Sequence, residues 1–365
     1  MSCEAVVEGE VMSMDIDVVG AGLAGLVAGI NLASRGFKVR IYEAKEHIGG
    51  DISFADATLM YPAALERELG IRIREALKPW KSVRILAYGK KFEFDLPRFH
   101  EAYTMERGKG ELSLENVLYR QALEKGVEVI LGSRLSVKEI SELPTGSIVA
   151  TGLNKNSFEL FNIPHRSFYG HMATGRCDPS QPQVIVYFDR FTREYGYYAQ
   201  CDRSSVALVF RMNRPLLDEE KVAFRTRLAE DNGIEMDGWN DDISGWAAWP
   251  LKSWNNMNLF RDGKILAGTL AGVVSPVLNF GVNGALASGH IAAMAVTDPA
   301  AARREFNRLA PLYLPQFVFR RFREYAPVAL LKLATWAVLS TYSPSSFHHL
   351  LSFTLWPPGM KLRRG

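Results

Sequence analysis

Residues 15 to 43 place a strand, a glycine turn, a helix, a second strand and an acid in immediate succession, and few folds accept that order. Asp15-Ile16-Asp17-Val18-Val19 runs straight into Gly20-Ala21-Gly22-Leu23-Ala24-Gly25. Leu26, Ala28, Gly29, Leu32 and Ala33 then carry a helical pattern, which Gly36 closes at a C-cap position. Lys38-Val39-Arg40-Ile41-Tyr42 is the second strand, and Glu43 stands at its tip. Gly20 permits the tight turn, Gly22 lets a pyrophosphate approach bare backbone, and Gly25 lets helix and strand pack closely. An anion above this turn meets the free N–H groups and the positive end of the helix dipole. Glu43, 23 residues beyond Gly20, is placed to accept hydrogen bonds from ribose hydroxyls. A dinucleotide site follows, with Leu23 and Ala24 of the turn and Ala44 and Lys45 beyond the acid counted in it.

Its 365 residues suffice for two compact domains, or for one large domain with an inserted lobe. A 47% hydrophobic content and 23% charge describe an ordinary packed globular protein. Cys3, Cys177 and Cys201 lie far apart and form no C-x-x-C pair, so neither a disulfide framework nor a zinc cage is expected, and no metal site is assigned. That usage fits a reducing cytoplasm, and the acidic first residues do not read as a signal peptide. Residues 301 to 365 carry ten Lys and Arg against two Glu, a surplus of eight, so the rest of this +3 chain is net negative. A polarised partner surface is one reading of that tail. Nucleic acid is excluded, because the basic residues are not interleaved on a groove-reading motif.

Further along, residues 62 to 78 read as helical, and Val83 to Leu96 alternate around Gly89-Lys90-Lys91 like a hairpin. A helix over Glu115–Lys125, capped by Ser113, leads into the strand Val127–Leu131, and Ser147–Ala150 forms another strand ending in Thr151-Gly152. Three strand-like runs, VIVYFD, YGYYAQ and SVALVFRM, predict an antiparallel sheet on the substrate side. Lys264 to Gly268 is then a buried strand, followed by Thr269, Pro276 and a glycine-rich helix start at Gly281-Val282-Asn283-Gly284. Such a loop offers backbone N–H groups to the N1/O2 edge of an isoalloxazine, which points to FAD as the cofactor. Gly49-Gly50, just past the acidic tip, agrees with this, although the Arg that usually follows such a pair is Asp51 here.

The whole order resembles the geranylgeranyl reductase branch of flavoproteins related to p-hydroxybenzoate hydroxylase. VVGAGLAGLVAG, RGKGELSLENVLYRQALEKGVEVILG, IVATG, YGYYAQ and ILAGTLAGVVSPVLNFGVNGALASG carry the resemblance over residues 15 to about 300. It implies that Gly268, Thr269, Pro276, Gly281, Val282 and Asn283 hold the ribityl chain and ring edge, and that Arg107 and Gly152 belong to the cofactor site. This chain departs from the pattern at three places. Thr269 stands where the family has Asp, and a neutral acceptor there weakens flavin binding by about 1 to 2 kcal/mol. The reductases' Y-x-W-x-F-P pattern matches at Tyr195 but reads Tyr197, Ala199 and Gln200 at its other places. The cysteine such reductases often carry after the first βαβ unit is absent from HIGGDISFADATLM.

The expected architecture is therefore α/β: a Rossmann-type FAD-binding domain, discontinuous over 14–80, 105–175 and 255–300, with an inserted antiparallel β-sheet substrate domain over 81–104 and 176–254, and a C-terminal helical segment over 301–365. The resemblance implies a reductase of C=C bonds in a hydrophobic isoprenoid or lipid substrate, using hydride from flavin N5. Tyr195, Tyr197 and His171 are the candidate catalytic residues. No second G-x-G-x-x-G exists, so electrons come from a docked donor: a nicotinamide, a ferredoxin or a quinol. A flavin monooxygenase acting on an aromatic or polyketide substrate, and a non-catalytic or flavin-free relative, stand as alternatives. Apolar and aromatic side chains beside Arg320, Arg321 and Arg323 suggest docking on the inner face of a membrane without spanning it, and a helical cap packed on the protein's own core is the alternative.

Overall fold

The computed structural model describes residues 15–80, 82–95, 102–179, 183–245, 247–250, 258–277 and 279–343. Its first layer is a six-stranded sheet in the order Phe260–Arg261, Lys264–Leu266, Ile148–Val149, Asp15–Val19, Lys38–Tyr42, Glu128–Ile130. All neighbours are parallel except the Phe260–Arg261 edge. Parallel strands need crossover connections, and the helix Leu23–Ala33 supplies the first. That helix is buried along nearly its whole length, because the helices Leu114–Glu124 and Val282–Thr297 pack against it. A Cβ on Gly289 would lie 2.4 Å from the Ala24 carbonyl oxygen, so glycine sets how closely the first and last helices of this domain approach.

The inserted sheet has seven strands, in the order Ala247–Pro250, His165–Gly175, Ser205–Met212, Gly196–Gln200, Val184–Phe188, Ser82–Ala87, Lys90–Asp95. The three runs read as antiparallel strands form its centre. His165–Gly175, on the near side of the boundary expected at residue 175, pairs with Ser205–Met212 in this sheet. The helix expected over 62–78 stops at Leu69, where Gly70 takes a left-handed cap with φ of 65°, and Leu77–Pro79 is a strand. That strand joins Ser53–Leu59 and Ala102–Gly108 in a small third sheet, which packs on the seven-stranded one. Of the tryptophans Trp239, Trp246, Trp249 and Trp254, which the sequence places within a short stretch after these strands, Trp246 and Trp254 lie outside the described residues.

Two helices, Pro299–Tyr325 and Val328–Thr341, form the C-terminal segment. Asp298 caps the first by accepting from the Ala301 amide at 2.8 Å. Ala302, Phe306, Leu309 and Tyr313 bury one stripe of that helix in the core of the Rossmann-type domain. Burial of each large apolar side chain there contributes about 1.5–3 kcal/mol. The protein is thus an α/β fold with a Rossmann-type domain, an inserted sheet that is antiparallel except for the parallel pair Val184–Phe188 with Ser82–Ala87, and a helical C-terminal segment. Among the described residues, no helix is long and apolar enough to cross a membrane.

Candidate functional site

The glycine turn is held from two sides. Gly20 N donates to Tyr42 O at 2.8 Å, and Ala21 N donates to Glu43 Oε2 at 2.8 Å. Glu43 Oε1 accepts from Lys45 N at 2.9 Å, so the carboxylate braces the turn and its own strand tip together. Two of the three glycines are explained by the chain itself. A Cβ on Gly20 would lie 2.5 Å from Ala150 O, and one on Gly25 only 1.9 Å from Gly20 O. Gly22 is different: its φ of −76° suits any residue, and a Cβ there would meet nothing within 4 Å. Gly22 caps the helix N-terminus with no side-chain bond, so the amides of Leu23 and Ala24 face a space that a side chain would fill. Beside the turn, the buried Thr151 hydroxyl has no hydrogen-bond partner. The residues present fit a pyrophosphate and its attached sugars.

Gly49 and Gly50 both have positive φ, 78° and 90°. Gly49 answers to packing, since a Cβ would lie 2.2 Å from Gly108 O, whereas Gly50 opens on free space. Ala44 is half-buried and Lys45 exposed, and Lys45 Nζ pairs with Asp51 at 2.6 Å. Arg107 lies inside: Nη1 meets Asp56 at 2.9 Å and Nε meets Glu115 at 2.7 Å. Burial opposes the Arg107 charge, and Glu115 and Asp56 more than restore it. Burial also pushes the Asp56 carboxyl above the usual carboxylate range, against the pull of Arg107. Asp56 was not singled out by sequence; its alternation with Ala55 and Ala57 along a strand is the signal that places it on one face.

The second half of the site is the loop after Lys264–Leu266. Gly268, with φ of 66°, donates its amide to Ser288 Oγ at 2.8 Å. Gly152 has φ of 63°, Thr269 is half-buried, and Pro276 is buried. Gly281 caps the helix that begins at Val282, and Asn283 Nδ2 donates to Leu59 O at 2.6 Å, tying this helix to the third sheet. Gly20, Gly268 and the Gly281 cap all border the helix Leu23–Ala33 or its partner, so the turn and the loop lie against the same pair of helices.

The catalytic candidates divide between two faces of the inserted sheet. Tyr195 stacks edge-on against Phe210 at 5.0 Å and lies 6.1 Å from the Tyr197 ring, with Phe54, Phe168 and Met172 in the same cluster. Burial pushes both phenols up, and Asp56 pushes further in the same direction. His171 points to the opposite face. Its ring stacks on Trp239 at 4.8 Å, and Nδ1 bonds Asp241 at 2.8 Å. Alternation along His165–Gly175 is the reason, since Phe168 and Met172 take the Tyr195 side. His171 therefore lies apart from the two tyrosines. Among the described residues, no group of three or more His, Cys, Asp or Glu could hold a metal ion.

The family described as an NAD(P)-binding Rossmann-like domain matches residues 18–68. No curated protein matches the chain. Among solved structures, the chain is similar to a geranylgeranyl bacteriochlorophyll reductase-like protein from Thermoplasma acidophilum, at 16% identity and a TM-score of 0.58, over 96% of this chain and 93% of that one. It is similar to the p-nitrophenol 4-monooxygenase PnpA from Pseudomonas putida at 14% identity and a TM-score of 0.61, over 92% and 97%. It is also similar to a variant of Klebsiella pneumoniae HpxO complexed with FAD, at 15% identity and a TM-score of 0.60, over 95% and 100%. These likenesses are of fold.

Proposed function

We propose that this chain binds FAD without a covalent link and works as an oxidoreductase that reduces C=C bonds of a hydrophobic, isoprenoid or lipid, substrate. Gly22 carries the flavin part of this reading: nothing in the protein requires glycine there, whereas a bound pyrophosphate does. Glu43 and the partnerless Thr151 hydroxyl beside the turn supply acceptors for sugar hydroxyls. The FAD-bound HpxO variant, alike in fold across nearly the whole chain, supports the same cofactor.

Bound FAD supplies hydride at N5. The chain's own residues do the rest. Tyr195, Tyr197, Phe54, Phe168 and Phe210 form an aromatic wall that suits an apolar chain and excludes water. Burial keeps the two phenols protonated, and the Asp56 carboxyl, raised by burial, pushes them further the same way, so Tyr195 and Tyr197 are the proton donors of this reading. Arg107 and Gly50 complete the cofactor side. Electrons reach the site from an external donor, a nicotinamide, ferredoxin or quinol.

A membrane surface is the proposed source of substrate. Val318, Phe319, Phe322 and Tyr325 expose apolar surface on the helix Pro299–Tyr325, and Leu330 and Leu333 continue it. A second reading, an aromatic hydroxylase, has the fold likeness to the p-nitrophenol monooxygenase in its favour. An absorption spectrum of the purified protein, with and without dithionite, tests the flavin. Single-turnover mixing of reduced protein with prenyl lipids tests the reaction: reoxidation without oxygen supports a reductase, and product formation that requires oxygen and NADPH supports the hydroxylase. Colourless protein that takes up no FAD refutes both.

A further inference from the structure

Glu194 immediately precedes Tyr195 and is buried, 6% exposed. Its Oε1 accepts from Arg320 Nη2 at 2.5 Å and its Oε2 from Arg323 Nη2 at 2.5 Å. Both guanidiniums are buried as well, and each turns its other amine to a main-chain carbonyl of the loop that follows Gly268. Arg320 Nη1 donates to Pro276 O at 3.2 Å, and Arg323 Nη1 to Val277 O at 3.1 Å. One turn earlier on the same helix, the buried Gln316 accepts from Ser275 Oγ at 2.7 Å. Arg320 Nε also reaches Glu324 at 3.0 Å, and Glu324 pairs with Arg166 at the start of His165–Gly175. The helix Pro299–Tyr325 thus grips both the loop after Gly268 and the Glu194-Tyr195 turn that leads into the strand Gly196–Gln200, through the same two side chains.

Buried ion pairs are a poor way to gain stability, because desolvation offsets much of the attraction, and apolar residues of similar volume often do as well. They are a good way to fix geometry. The planar arginine fork lets one side chain hold a carboxylate and a carbonyl at set angles, which a lysine ammonium cannot do. We propose that Glu194, Arg320 and Arg323 are positioning residues, a buried latch that locks the loop carrying Pro276 and the Glu194-Tyr195 turn that leads into the strand Gly196–Gln200 into one arrangement. The two walls of the redox site then move together or not at all. The functional part of this inference rests on the flavin reading above.

The full-length protein is compared with its Glu194→Gln and Arg323→Lys variants by amide hydrogen exchange without added FAD, and by titration with FAD. Arg323→Lys keeps the charge and removes the fork; if Glu194→Gln does not fold, Arg323→Lys carries both measurements. Exchange is expected to rise together in residues 270–277 and 196–200, by about tenfold or more, while Asp15–Val19 stays protected. The FAD dissociation constant is expected to rise about tenfold in both variants. Exchange that rises evenly along the chain, or only within the helix Pro299–Tyr325, overturns the latch. Unchanged FAD affinity together with an unchanged flavin absorption band overturns its role at the site. If the unaltered protein takes up no FAD, the flavin reading fails alone, and the exchange pattern still decides the latch.

Discussion

The Glu43 carboxylate is hydrogen-bonded to the Ala21 amide at 2.8 Å, across 22 residues of sequence. An acid expected only to wait for ribose therefore also shapes the turn that receives the pyrophosphate. Each carboxylate oxygen has a second lone pair, so both tasks are compatible. Glu43→Gln turns an NH2 group toward one of two amides, Ala21 or Lys45, and keeps at most one of the two bonds. FAD affinity should fall about tenfold, read by quenching of FAD fluorescence. Affinity equal to that of the unaltered protein would remove Glu43 from the site.

Gly22 and Gly25 should separate binding from folding. A Cβ at 22 has no protein atom within 4 Å, so Gly22→Val should keep its melting temperature and lose the yellow colour. A valine at 25 collides with the Gly20 carbonyl, and Gly25→Val should lose the fold along with the flavin. Thermal melts and absorption spectra of the two proteins decide this; stoichiometric FAD in folded Gly22→Val contradicts the assignment.

Thr151→Val should act with opposite signs in free and loaded protein. The Thr151 hydroxyl is buried without a partner, so Thr151→Val should leave the FAD-free protein as stable or more stable, by up to about 1 kcal/mol. The same change should weaken FAD binding, as should Thr269→Val, each roughly tenfold, one hydrogen bond of about 1.4 kcal/mol. A dissociation constant that does not move in either variant takes that hydroxyl out of the site.

The βαβ unit is legible because its constraints are local: Gly20, Gly25 and Glu43 answer to backbone a few residues away or to one adjacent strand. His165–Gly175 is less legible. Its partner Ser205–Met212 comes after two intervening strands, and nothing in HRSFYGHMATG says which sheet it joins. Buried charge is the least legible of all. Glu194 and Arg320 are 126 residues apart, and an arginine in a basic cluster has the same sequence signature whether it faces lipid or an internal carboxylate. Arg320 and Arg323 prove internal, which corrects the expectation that the whole cluster meets anionic lipid; only Arg321 of the three is exposed.

Two histidines set an acid-side slope. Burial holds His171 below its ordinary value in spite of Asp241, and burial and then Arg35 do the same for His290. Both are neutral in the folded protein, so their contribution is full above the unfolded value of about 6.5 and is lost as pH falls through it, because the unfolded chain takes the protons first. Asp56, raised by burial, acts in the opposite sense, losing its contribution as pH rises. Urea midpoints from pH ~8 to ~5 should therefore fall, and the fall should be shallower in His171→Gln. An identical slope in that variant would show that His171 does not titrate in this range.

Membrane docking is tested on the exposed face of the C-terminal helices, not by removing them. Ala302, Phe306, Leu309 and Tyr313 belong to the core, and Arg320 and Arg323 hold Glu194, so cutting the chain after Asp298 would unfold the protein whatever its surface does. The exposed face is separate. Val318, Phe319 and Phe322 share a side of the helix with the exposed Arg304 and Arg308, opposite the buried stripe, and Leu333 lies on the next helix. Aromatic rings at headgroup depth with arginines beside them suit an anionic interface, each basic group adding about 1 kcal/mol at low salt. Phe319→Ser, Phe322→Ser and Leu333→Ser, combined in one protein, should leave the fold intact and lower the fraction that floats with anionic liposomes about tenfold or more. High salt should weaken flotation of the unaltered protein without abolishing it, because the apolar part is not screened. Protein that stays in the soluble fraction at low salt, or a triple variant that floats as well as its parent, refutes membrane docking.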